Sequence, residues 1–164
     1  MKKKKFRNNG AVGALLDEYE KALNELIALL NTISDKDLLQ IVDEDTKDED
    51  CKSIQTILTH VIQSGYTYAI EVRRWLGEDV NYKDKVFFNN VDAYVLALKE
   101  MFVFNEQLFV AYSDIQLIAY NTKEKLKVRW GQFYDVEQLF EHAIVHVLRH
   151  RRQIEKFLLK NRCL

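Results

Sequence analysis

The chain carries four long segments in which apolar residues return every three or four positions, the spacing of one helix face. They cover about residues 11–31, 54–76, 91–112 and 136–160. Ser53 is placed to cap the second segment, and Asp135 with Gln138 forms a capping-box-like start for the fourth. Ser34 begins a short helical turn between the first two segments. The pattern predicts an all-α protein built as a four-helix bundle.

The segments between these helices are less regular. Residues 43–50, DEDTKDED, hold six acids and one lysine but lack the central glycine of a calcium loop, so we expect a solvated loop rather than a metal site. Residues 113–135 mix β-branched and aromatic side chains, which indicates either a short strand pair or an ordered loop. Residues 1–9 are predicted to be a disordered basic tail, which leaves 10–164 as a single domain.

The composition favours long helices, because the chain has no proline and only five glycines. Five of its 24 basic residues lie within the first seven positions, and the remainder of the chain is therefore acidic. An acidic body is not expected to bind nucleic acid. No apolar stretch approaches the roughly 20 residues that cross a membrane. The two cysteines, Cys51 and Cys163, match no metal or redox spacing, and we expect a cytoplasmic protein.

The third helix is apolar nearly all round at Met101–Phe104. Such a helix is either the central helix of the bundle or the carrier of a dimer face. A homodimer is therefore among the expectations.

Three of the four histidines, His142, His146 and His150, stand four residues apart on the fourth helix. Residues four apart on a helix lie about 40° apart around its axis. Relative to the centre of the core face, His150 lies about 50° away, His146 about 90° and His142 about 130°. We therefore expect His150 to point partly inward, His146 to lie at the boundary and His142 to be exposed.

Two histidines at i and i+4 can present two imidazoles to one metal ion. Val147 occupies the position of the glutamate in the HExxH zinc helix, and no histidine follows the Glu-x-x-His pattern of di-iron bundles, so both of those sites are excluded. His60 on the second helix is the remaining histidine. If the second and fourth helices are neighbours, His60, His146 and His150 can bind zinc, nickel, copper or iron and leave open coordination positions. The alternative is a set of scattered surface and boundary histidines.

The same segments carry a resemblance to a known family. EHAIVHVLRHRRQIEKFL, with RWGQFYDVEQLF before it and ILTHVIQSGYTYA on the second helix, is similar to the DinB/YfiT-like metalloenzymes over nearly the full length. The family signature is a histidine on the second helix plus His-x-x-x-His and Arg-x-Gln on the last, which here fall on His60, His146, His150, Arg151 and Gln153.

The resemblance implies an up-down-down-up four-helix bundle in which His60, His146 and His150 bind a divalent metal, nickel or zinc. His142 matches an additional histidine of the family that need not be a ligand. Arg152 replaces the glycine that the family usually has there, a departure that removes no ligand.

The family includes thiol-dependent transferases and isomerases that use small bacterial thiols. We therefore expect a bacterial metal-dependent enzyme that activates a thiol or water for attack on a small electrophilic substrate. The alternative is a non-catalytic stress-response protein that acts by metal or partner binding as a dimer. Glu71 is the one acid considered as a proton acceptor, and a partner for Arg74 or a lysine is its other interpretation. The predicted pocket residues, some of which packing alone would also explain, are Ser64, Tyr66, Thr67, Trp75, Trp130 and His142.

Overall fold

The structure is a computed structural model that describes residues 6–162. It is mostly helical, which confirms the all-α class. All four predicted long helices are present, and the turn predicted after Ser34 is a short fifth helix. The helices are α1 (Gly10–Leu30), α2 (Asp35–Leu39), α3 (Ile54–Trp75), α4 (Val91–Ala111) and α5 (Val136–Arg162).

The helix starts follow the predicted caps. The hydroxyl of Ser34 accepts a hydrogen bond from the backbone N–H of the third residue of α2, and Ser53 does the same for α3. At the start of α5, Asp135 Oδ1 accepts from Gln138 N at 2.9 Å, and Gln138 Oε1 accepts from Asp135 N at 3.3 Å. This reciprocal pair is the predicted capping box.

The irregular segment before α5 contains the strand pair that was one of its two predicted forms. Strand β1 (Leu126–Lys127) pairs antiparallel with β2 (Phe133–Tyr134). Gly131 lies in the connection with a φ of 91°, a left-handed conformation that favours glycine. This small hairpin places Arg129 and Trp130 at its tip, beside α3.

The long helices pack in a ring, in which α1 and α3 each contact both α4 and α5. Helices α3 and α5 are therefore neighbours, as the convergence of the histidines requires. Helices α3 and α4 approach closely at Gly65, where a Cβ atom would clash with the buried Met101 side chain. The buried Asn105 amide donates to the carbonyl oxygen of Gly65 at 3.1 Å and so joins the same two helices.

Of the basic N-terminal tail, residues 1–5 lie outside the described residues. Arg7 is held by carboxylates, with ion pairs to Asp17 at 2.6 Å and Glu20 at 2.9 Å on α1 and to Glu106 on α4. The disorder predicted for residues 1–9 therefore does not extend to Arg7, because three acids of the folded domain bind its guanidinium.

The apolar run on α4 serves mainly the core, since Met101 and Phe102 are buried. Val103 points outward and forms a stripe with Leu96 and Val110, which are 58% and 80% exposed. The homodimer stays a prediction. Within residues 6–162, no helix combines the length and the apolar character needed to cross a bilayer.

Candidate metal centre

Three histidines from two helices meet at one point between α3 and α5. Nε2 of His146 lies 3.0 Å from Nε2 of His60 and 3.2 Å from Nε2 of His150. Two nitrogens bound to one tetrahedral zinc ion would lie about 3.3 Å apart, given zinc–nitrogen bonds of about 2.0–2.1 Å. The ligand atoms of all three side chains lie within 4.8 Å of one another. The three histidines could therefore hold a metal ion.

The three histidines on α5 are buried in the order that their helical angles predict. His150 is 2% exposed, His146 is half-buried and His142 is exposed. His142 stacks on His146 with ring centroids 6.2 Å apart but lies outside the cluster. The predicted ranking of the three is thus confirmed.

Asp50 and Gln153, which lie outside the triad, set the tautomers of two of its imidazole rings. His60 Nδ1 lies 3.1 Å from Asp50 Oδ2, and His150 Nδ1 lies 3.1 Å from Gln153 Oε1. Because a carboxylate or amide oxygen only accepts hydrogen bonds, each Nδ1 carries the proton and each Nε2 keeps a free lone pair. Metal-binding histidines are commonly oriented by such partners.

Burial also keeps the cluster neutral. It lowers the pKa of His150 to about 4 and, together with the nearby histidines, lowers the pKa of His146 to about 2. Burial lowers the pKa of His60 as well, and outweighs the opposing effect of Asp50. Near pH 7 the three imidazoles are therefore in the form that binds a cation.

Asp50 contacts the triad but was not predicted from the sequence. It is the last residue of the acidic segment 43–50, which was predicted to be solvated, yet it contacts His60 and forms an ion pair with Lys85. The short helical turn Glu49–Cys51 packs against α3 and brings the carboxylate there. A run of acids carries no signal that singles out its last member.

A cavity of about 430 Å³ lies beside the triad. Of the predicted pocket residues, Ser64, Thr67, Trp130 and His142 line it. The cavity is also lined by residues that were not predicted, namely Asp50, Gln63, Tyr68 and Arg129. Trp130 stacks on His142 with ring centroids 6.3 Å apart and planes at 29°, so one wall is flat and aromatic.

Tyr66 and Trp75 do not line this cavity, which corrects their assignment. Tyr66 lies about 120° around α3 from His60. It packs instead on Phe104 of α4 with ring centroids 5.2 Å apart. Trp75 lies about 22 Å further along the helix than His60, and its side chain is 45% exposed.

Glu71 is buried but does not line the cavity. Its Oε1 accepts hydrogen bonds from the hydroxyl of Tyr82 at 2.9 Å and from the backbone N–H of Arg129 at 3.0 Å. Arg74, its predicted alternative partner, donates to the carbonyl oxygen of Val80. Glu71 therefore holds the hairpin tip in place and is not positioned to accept a proton from a substrate.

Comparison of the sequence with models of known protein families gives no match, and comparison with curated proteins gives none either. The resemblance to the DinB/YfiT-like family accordingly rests on the quoted motifs.

Proposed function

We propose that this protein is a DinB/YfiT-like metal-dependent enzyme that activates a thiol or water for attack on a small electrophilic molecule. The observation that carries the proposal is the convergence of three neutral imidazoles at one point, two of which, His60 and His146, also line a cavity. Imidazole ligands suit nickel and zinc, the two metals that we propose for the site.

The family topology is part of the proposal, and side-chain contacts support it. Gln55 at the start of α3 donates to the carbonyl oxygen of Phe88, just before α4, at 2.8 Å, and Gly65 accepts from Asn105 further along both helices. Tyr19, in the middle of α1, meets Phe140 near the start of α5, and Glu25 pairs with Arg151 further along both helices. Contacts in this order are those of two parallel pairs, α3 with α4 and α1 with α5, as an up-down-down-up bundle requires.

A divalent cation held by three imidazoles lowers the pKa of a bound thiol or water and supplies a nucleophile near neutral pH. His60, His146 and His150 would hold that cation, and Asp50 and Gln153 keep two of the rings in the required tautomer. The hydroxyls of Ser64 and Thr67 and the rings of Tyr68 and Trp130 line the space in which a substrate would lie.

The proposal is tested by metal analysis of protein made without a histidine tag. We expect wild type and His142→Ala to bind nickel or zinc at one ion per chain. His60→Ala and His146→Ala should lose affinity by more than about 100-fold, because loss of a ligand costs more than loss of an outer partner. Circular dichroism should show the same helix content in all four proteins.

A wild-type protein that stays metal-free when nickel and zinc are supplied would refute the metal centre. If the wild-type protein binds metal, its turnover is measured as thiol consumption with a panel of electrophiles, and His60→Ala should abolish that turnover. Metal binding without turnover of any electrophile would favour the non-catalytic alternative.

A further inference from the structure

Arg129 is an exposed residue that lines the cavity containing His60 and His146. Its guanidinium stacks over the ring of Tyr82, 4.4 Å from the ring centroid. Within residues 6–162, that guanidinium forms no ion pair with a carboxylate. The acid of the same cavity, Asp50, is already engaged by His60 and Lys85. The cavity therefore offers a cation whose hydrogen-bond donors are available to a ligand.

The position of this arginine is set by a buried acid. Glu71, which is 6% exposed, binds both the backbone N–H of Arg129 and the hydroxyl of Tyr82 through one oxygen. The same carboxylate thus orients the peptide that carries the guanidinium and the ring on which the guanidinium rests. Burial of a carboxylate is costly unless hydrogen bonds compensate for it. An arginine held in advance of binding loses less entropy when it binds a ligand.

We propose that Arg129 binds a carboxylate or phosphate group of the substrate while the reacting atom lies at the His60–His146–His150 centre. The inference rests on the proposed function and narrows its substrate class to small anionic molecules. The planar guanidinium matches the two oxygens of a carboxylate or phosphate. The stacked rings of Trp130 and His142 and the ring of Tyr68 suit a flat substrate body. Glu71 and Tyr82 act as positioning residues for Arg129.

The test uses the cobalt-loaded protein and two pairs of probes, 3- and 4-mercaptobenzoate and the corresponding mercaptobenzamides. Within a pair, only a carboxylate is exchanged for an amide, and the ring prevents sulfur and carboxylate from reaching one metal ion together. Binding is followed by the thiolate-to-cobalt absorption band. In wild type we expect at least one acid to bind about tenfold more tightly than its amide, a difference of about 1.4 kcal/mol.

Arg129→Gln should remove the preference for the acid and leave the affinity for the amide unchanged. Arg152→Gln, which removes an exposed cation of a different cavity, should keep the preference. Tyr82→Leu removes the ring beneath the guanidinium and should reduce the ratio of the two affinities to less than half of the wild-type ratio. A merely structural role of Tyr82 would lower both affinities together.

Equal affinities for acid and amide in wild type, or a preference that survives in Arg129→Gln, would overturn the assignment of Arg129. The cobalt band reports the metal centre separately, so that result would leave the proposed function standing. Absence of the band with every probe would overturn thiol activation at the metal centre and the assignment of Arg129 with it.

Discussion

Acid should destabilise the metal-free protein through His150. Burial lowers the pKa of this histidine in the folded state to about 4, from 6.5 for the unperturbed group. The unfolded chain therefore takes up a proton at a pH at which the folded protein does not. The contribution to stability is fully present above about pH 6.5 and is lost as the pH falls toward 4.

The size of the effect follows from these two pKa values. At pH 5 the unfolded His150 is almost fully protonated, whereas the folded residue is about one-tenth protonated. The free energy of unfolding should therefore fall by about 2 kcal/mol between pH 7 and pH 5 through this residue alone. His146, whose pKa is lowered to about 2, adds a loss of the same sign. An unperturbed carboxyl group has a pKa near 4 and therefore contributes little between pH 7 and pH 5.

The assay is urea unfolding at pH 7 and pH 5, followed by circular dichroism in the presence of a chelator. His150→Gln, which cannot titrate, should show a fall that is smaller than that of wild type by about 2 kcal/mol. His142→Gln is the matched control on an exposed position of the same helix and should keep most of the wild-type fall. If His150→Gln loses as much stability as wild type between the two pH values, the buried neutral histidine is not the cause.

Two further substitutions test the surroundings of the site and the helix packing. Asp50→Asn should weaken zinc binding by about 10–100-fold, because the oriented tautomer of His60 loses its carboxylate acceptor. Asp45→Asn makes the same change at an exposed position of the same segment and should leave zinc affinity unchanged. Equal losses of affinity in the two variants would contradict the role of Asp50 in orienting His60. Gly65→Ala should lower the free energy of unfolding by about 1–3 kcal/mol, since the added methyl group displaces the buried Met101. Unchanged urea unfolding would show that this side chain repacks without cost.

The parts of the structure that depend on local sequence were predictable. Apolar spacing and capping residues act within one or two turns, and so the helices begin and end close to the predicted residues. The ranking of His142, His146 and His150 followed from helical angles alone. The meeting of His60 with the other two required the further assumption that the second and fourth helices are neighbours.

The residues that were missed depend on tertiary packing. Asp50 reaches His60 because the turn that carries it folds onto α3, and nothing in an acidic run distinguishes it from its neighbours. Arg129 lies on a hairpin tip whose position is set by the distant Glu71. Tyr66 is a different case, because the angle of about 120° from His60 could have excluded it from the pocket.

The triad also has a consequence for how metal release is linked to unfolding. His146 and His150 are local partners, whereas His60 lies 86 residues away from His146 along the chain. An unfolded chain that kept all three ligands bound would have to hold a loop of that length closed, at a cost of about 4.5 kcal/mol in chain entropy. That cost favours a two-ligand complex of the unfolded chain, in which only the sequence neighbours His146 and His150 bind the metal. Binding of the metal by His60 would thus show that the whole domain is folded.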